Sequence, residues 1–358
     1  MSKKKVAILF GGRSVEHGVS INSARNIFEY IDRDRFEPIP IGISTSGAWF
    51  LTTEVSKDIE KGQPISLVLD ATRPLWKTSD KTIEFDVAFP VLHGTDGEDG
   101  SIQGIFKAMS IPMVGTGVLG SSVSMNKLTS KRLLEKANIP CAAFISFSYV
   151  DRNSLSFESI SEKMGLPFMV KATSLGSSVG ISKVKGKEDF LPAVEEAFRY
   201  DNQILIEKYI KGREIECAVL GNDPPEASLP GEIVISDRYE FYTFDAKYVD
   251  STAVSIEVPA KLSPALQDQI RELSVKAFLA CSCEDFARID LFVSDDGKIF
   301  INEINTIPGF TNSSMYPMMW KERGVSFKDL ITKLIDICLK RDEKSKRVQT
   351  DFKSSLKY

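Results

Sequence analysis

Ala287-Arg-Ile-Asp290-Leu-Phe-Val-Ser-Asp-Asp296-Gly297-Lys-Ile-Phe-Ile-Asn-Glu303-Ile-Asn305 is the stretch from which the rest of this chain is read. Two runs rich in β-branched and aromatic residues flank Asp296-Gly297, the strongest short-range hairpin signal. With those two residues as the central pair of a type I′ turn, Asp290 lies across from Glu303 and Arg288 across from Asn305. Side chains alternate faces with period two, so Arg288, Asp290, Glu303 and Asn305 share one face. Their neighbours are mostly Ile, Leu, Phe and Val, which predicts a partly buried site. Two carboxylates facing each other there repel, at a cost on the order of several kcal/mol, unless a cation lies between them. Oxygen donors without Cys or His select a hard cation, Mg2+ or Mn2+, with positions left open for phosphate oxygens. A three-residue bulged turn would shift the register and break this pairing.

Working outward, 358 residues allow two or three domains and a large core. A net charge of -4 gives no reason to expect nucleic acid or an anionic membrane as partner. No apolar run reaches the roughly 18 residues that a spanning helix needs. Lys3-Lys4-Lys5 before Val6–Phe10 has a superficial likeness to a signal sequence, but the apolar run is short and Gly11-Gly12-Arg13 follows it. Five cysteines, an odd number and mostly inside apolar runs, read as reduced thiols of a cytoplasmic protein. Cys281-Ser-Cys283 lacks a His or second pair to make a metal site and reads as core.

Val6–Phe10, the Gly11-Gly12-Arg13-Ser14 loop and a helix from about Glu16 to Ile31 make a βα unit whose helix N-terminus can face an anion. Strands follow at 36–43 and 85–92, with a polar connection over 52–82. The only two histidines, His17 and His93, lie beside glycines where strands end, which is where open α/β sheets bind ligands. A helix is predicted at 123–137 and a domain boundary near Asn126. Lys171 ends a strand and precedes Ala172–Gly180, a glycine- and serine-rich hairpin turn. Its small residues let backbone N–H groups close over phosphates, although it lacks the P-loop pattern. Strand 203–207 runs into Lys208-Tyr209-Ile210, an exposed turn suited to a purine edge, with Glu214 placed for a ribose hydroxyl. Ser236–Asp250 is long, polar and aromatic, and reads as a lid carrying Lys247 and Tyr248. The charged tail, 341–358, reads as frayed.

Taken together, Phe10–Ser20, His93–Gly104, Met125–Lys127, Leu175–Gly180, Ala246–Tyr248, Arg288–Asp290 and Asn302–Gly309 resemble the D-alanine–D-alanine ligase family over residues 4–340. The resemblance implies an α/β, three-domain ATP-grasp fold. Residues 1–126 would form a Rossmann-like parallel-sheet domain, and two α+β domains, 127–214 and 215–340, would clasp ATP. It further implies that Lys127, Lys171 and Lys247 contact phosphates, and that Glu207, Lys208, Ile210 and Glu214 hold adenine and ribose. Asp290, Glu303 and Asn305 would ligate two Mg2+ or Mn2+ ions. Glu16 would orient the first D-alanine's amino group, with Ser177 and Tyr248 near it and His93 on the carboxylate side. Arg288 and the Gly309 backbone would stabilise an oxyanion, and Ser314 would receive the second substrate's carboxylate. Met315 stands where leucine is expected and would reshape the acceptor pocket. Small-molecule partners, D-alanine and ATP, and a homodimer are expected.

That chemistry needs such residues. A carboxylate becomes electrophilic only after phosphoryl transfer, metals and lysines neutralise the spreading charge, and an oxyanion hole serves the amine's attack. The close alternatives are D-serine or D-lactate as acceptor. Tyr248 argues for D-alanine over D-lactate, because relatives making the ester tend to replace it. A nucleotide-binding regulator on the same fold would not need metal ligands, Arg288 and phosphate lysines together, and a carboxylase would need a carrier domain or partner that is not seen in the sequence.

Overall fold

A computed structural model describes residues 3–72, 75–176, 179–236 and 254–349. Four sheets appear among these residues. The first contains Phe36–Ile43, Lys4–Gly11 and Val87–Pro90 in parallel, extended at one edge by two short antiparallel strands. Lys4–Gly11 is buried along nearly its whole length because it sits in the middle of this sheet with apolar layers on both faces. Gly11 is required where the strand turns out: its φ is +91°, and a Cβ there would lie 2.2 Å from the Ile43 carbonyl oxygen. Ser20 in the following helix, His17–Tyr30, accepts from the Gly11 N–H at 2.9 Å and donates to the Val91 carbonyl.

One face of this sheet packs against helices from the far end of the chain. Val6, Ile8, Phe10, Val87 and Phe89 share a core with Phe310, Tyr316, Trp320, Leu330 and Leu334. The predicted frayed tail is therefore corrected in its first residues. The helix Phe327–Ser345 runs beyond 340, and Arg341 bonds Glu284 at 2.5 Å, Asp285 at 3.0 Å and the Met113 carbonyl at 2.6 Å. The polar connection also holds more structure than expected. Strands Ser66–Val68, Leu75–Lys77 and Thr82–Ile83 form a small sheet, and Trp76 anchors it in the core. The single helix predicted over 123–137 is two, Val118–Met125 and Lys127–Lys136. They break at Asn126, whose side chain accepts from the Thr129 N–H at 2.9 Å and caps the second.

The remaining two large sheets are antiparallel. One runs Ile181–Val184, Phe168–Ala172, Gln203–Lys208, Phe144–Ser148. The other contains Val254–Glu257, Gly231–Ile235, Gly212–Leu220, Phe286–Ser294 and Ile299–Asn305 in that order. A cavity of about 350 Å³ lies between them.

The hairpin Phe286–Asn305 pairs Asp290 with Glu303 and Arg288 with Asn305, as the sequence predicts, but by another route. The two-residue turn is corrected. Ser294 faces Lys298 across a three-residue loop, with Gly297 at φ +81°. That slips the register by one, and Asn302, opposite no residue, bulges to restore it between Leu291↔Ile301 and Asp290↔Glu303. The bulge lets Ile301 and Ile304, three apart, both face the core.

Candidate functional site

Four residues of the hairpin meet on one half-buried face. Arg288 forks onto both oxygens of Asp290, Nε at 2.7 Å and a terminal nitrogen at 2.8 Å. Asn305 donates to Asp290 at 2.9 Å. Arg288 also lies 2.9 Å from Glu216 on the neighbouring strand, so a guanidinium sits between two carboxylates and offsets their repulsion. No group of three or more His, Cys, Asp or Glu set to hold a metal occurs among the described residues. The donor chemistry nonetheless fits a hard cation, since two carboxylates directly across a strand pair and one carboxamide supply oxygen only.

The lysines converge on the same cavity. Lys127 and Lys131 stand four residues apart on the helix Lys127–Lys136 and so share a face. Lys131 is buried and lies 2.9 Å from Glu207, while Lys171 meets the other Glu207 oxygen at 2.6 Å. Burial alone would push the Glu207 carboxyl up, but Lys131 and Lys171 outweigh it and hold it down at about 2. Lys171 also donates to the Asn302 amide oxygen at 3.3 Å, which ties the bulge of one sheet to the end of a strand in the other. Lys127 donates to the Leu175 carbonyl at 2.5 Å and approaches Glu303 at 3.9 Å. Lys208, Tyr209, Ile210 and Glu214 line the wall of the cavity, which Met169, Ile181 and Phe292 make apolar. Both oxygens of Glu207 are taken by lysines.

Glu16 precedes the helix His17–Tyr30. A Cβ on Gly176 would lie 3.6 Å from its carboxylate, so Gly176 packs against it. His93 is buried with both ring nitrogens engaged: Nδ1 lies 2.7 Å from the Ile307 carbonyl and Nε2 3.1 Å from the Ser23 hydroxyl. Burial depresses its pKa, against the pull of Glu16, and the carbonyl partner requires hydrogen on Nδ1. Both ring nitrogens of His93 therefore hold protein atoms. Glu98 accepts from the Gly94 and Ile307 N–H groups at 2.8 and 2.9 Å. Burial, with Glu16 nearby, pushes its carboxyl up to about 8.

A Cβ on Gly309 would sit 3.3 Å from the Ser314 hydroxyl, which bonds Thr311 and precedes the helix Met315–Glu322. Met315 is buried in the core, and its sulfur would lie 2.4 Å from a Cβ on Gly231. Ser177, Lys247, Tyr248 and the segment Ser236–Asp250, apart from Ser236 itself, lie outside the described residues. Sequence reading missed Lys131, Glu216, Asn302, Glu98 and Ser23. The four-residue spacing of Lys131 from Lys127, and the three-residue step from Ile301 to Ile304, were the available signals.

A parallel-sheet unit followed by two antiparallel sheets around a lysine-lined cavity defines an ATP-grasp ligase. The chain belongs to the D-alanine–D-alanine ligase family. The family's N-terminal model, "D-ala D-ala ligase N-terminus", matches residues 5–116, and "D-ala D-ala ligase C-terminus" matches 133–336. Among relatives, the D-alanine–D-alanine ligase of Shouchella clausii is 43% identical, covering 98% of each chain. The D-Ala:D-Ser ligase of Enterococcus faecalis superposes with a TM-score of 0.86 at 35% identity, covering 94% of this chain and 100% of that one. The Bacillus anthracis D-alanine–D-alanine ligase, solved with ATP, has a TM-score of 0.74 at 26% identity over 96% and 99% of the two chains. Among the described residues no helix is long and apolar enough to cross a membrane.

Proposed function

We propose that the chain joins two D-alanine molecules into D-alanyl-D-alanine, converting ATP to ADP and phosphate, for the building of peptidoglycan precursors. The observation carrying this is the meeting of Arg288, Asp290, Glu303 and Asn305 with Lys127 and Lys171 at one cavity between two sheets. On this reading the chain divides into 1–126, 127–214 and 215–340, a division that the helix break at Asn126 supports.

The nucleotide lies along the apolar wall, with its base edge on the Lys208–Ile210 backbone and Glu214 on the ribose. Ionised Glu207 holds Lys171 extended, so this ammonium meets the phosphates without reorganising. Asp290, Glu303 and Asn305 would hold the Mg2+ or Mn2+ ions. Bound there, these neutralise charge on the transferring phosphoryl group. Glu16 orients the first D-alanine's ammonium while its carboxylate oxygen attacks the γ-phosphorus and ADP leaves. The second D-alanine's amine then attacks the acyl carbon. Arg288 and the Gly309 N–H stabilise the resulting oxyanion, and its collapse breaks the carbon–oxygen bond to phosphate as the amine's proton departs.

The test is phosphate release from ATP and Mg2+ with and without D-alanine. Release that rises with D-alanine and stops in Arg288→Ala is expected, whereas release independent of D-alanine contradicts the proposal.

A further inference from the structure

The loop that leaves the hairpin is held by side chains from the opposite end of the chain. Glu98 accepts from the Ile307 N–H at 2.9 Å, and His93 Nδ1 donates to the Ile307 carbonyl at 2.7 Å. Both polar groups of this one backbone residue are therefore occupied by residues more than 200 positions earlier in the chain. Three residues after Ile307 the grip is repeated, because Ser23 accepts from the Phe310 N–H at 3.2 Å. The three anchors are themselves coupled. The Ser23 hydroxyl meets His93 Nε2 at 3.1 Å, and the second oxygen of Glu98 accepts from Gly94 at 2.8 Å, fixing the turn next to His93. His93 and Ser23 are buried, so water does not substitute for their bonds.

Gly309 lies between the two gripped residues. Among the described residues nothing accepts from its N–H.

We propose that Glu98, with Ser23 and His93, is a positioning residue that aims the Gly309 N–H at the oxyanion of the ligation step. Rotating the Ile307 peptide swings everything up to Phe310, so a loop held at 307 and 310 has little freedom at 309. One oxygen is needed for each of two N–H groups on different segments, and the ionised carboxyl, which prevails above the pKa of about 8 that burial gives it, supplies both. A carboxamide offers one acceptor and presents an NH2 to the other amide. Glu98 does not touch the reacting atoms, and its effect passes through backbone. This inference rests on the ligase reading given above.

The experiment measures wild type, Glu98→Gln and Ser23→Ala with ATP, Mg2+ and D-alanine at pH 9, where Glu98 is ionised, alongside melting midpoints and ADP affinity. Glu98→Gln is expected to lower kcat on the order of 10- to 100-fold, the range for an oxyanion donor displaced by about 1 Å. KM for ATP and ADP affinity should stay within about twofold, since the nucleotide wall is untouched. Ser23→Ala should show a smaller loss of the same kind. A phosphinate dipeptide analogue, whose tetrahedral oxygen mimics the oxyanion, should bind each variant more weakly by the same factor as kcat falls. Unchanged kcat in both folded variants overturns the proposal. So does a loss in kcat, ADP affinity and melting midpoint together in Ser23→Ala, which would mark a merely structural role. A wild-type protein making no dipeptide would instead refute the ligase reading, which separates the two failures.

Discussion

Glu207 shows how one buried carboxylate sets the character of a nucleotide site. Its two lysine partners each come from a different element, and neither ammonium would be tolerated in the interior without it. Because its folded pKa, about 2, lies below the ordinary 4.5, its ionised form stabilises the fold. That stabilisation is complete above pH 4.5 and is lost as pH falls through about 2. At 1.36 kcal/mol per unit it amounts to about 3 kcal/mol. Glu207→Gln should therefore unfold at lower urea concentration at pH 7, by about 3 kcal/mol, and lose less on acidification than wild type. Equal urea midpoints at pH 7 would show that the lysines do not depend on it. The family resemblance put Glu207 in the nucleotide site, but no local pattern announced its lysine partners, because only tertiary packing brings Lys131 and Lys171 to it.

At the scale of elements the hairpin gave the right face from an incomplete geometry. Period-two alternation and the Asp-Gly signal put Asp290 opposite Glu303. The actual turn is one residue longer, and the Asn302 bulge restores the register. The sequence carries a trace of this, since Ile299, Ile301 and Ile304 step by two and then by three. A regular strand would have turned Asn302 into the core opposite Leu291. Gly297 occupies the left-handed position that the longer loop needs, and no atom lies within 4 Å of where its Cβ would be. Gly297→Ala should therefore cost about 1 kcal/mol of stability through backbone strain alone. Its kcat should stay within about twofold, because the bulge, rather than the turn, sets the site's register. A large loss of kcat would mean that turn strain reaches Asp290 and Glu303. The parallel strands and the helix-start position of Glu16 were readable from local pattern. The split at Asn126 was not, because its apolar periodicity continues across the break and only the cap marks it.

The whole molecule closes on itself, and this was the least legible level. C-terminal helices complete the core under the first sheet, and the loop carrying Gly309 hangs from N-terminal side chains. Arg341 is part of that closure. Asp285 is fully buried, and burial pushes its carboxyl up to about 6 even with Arg341 against it. Arg341→Ala would leave Asp285 and Glu284 without their cation, so a loss of about 3 kcal/mol is expected in thermal or urea unfolding. Wild-type stability in this variant would return the segment to the frayed tail that its composition suggests. A run of alternating charges after Leu339 looks solvated, and nothing local reveals that one arginine reaches three partners.

The central claim is that this molecule makes a peptide between two D-alanines. It is tested most directly by incubating the protein with ATP, Mg2+ and equal D-alanine, D-serine and D-lactate, then identifying the products by mass. The account predicts mainly D-alanyl-D-alanine, with ADP and phosphate formed in equal amounts to it. Mainly D-alanyl-D-serine or D-alanyl-D-lactate, or ATP consumed without any joined product, would contradict it.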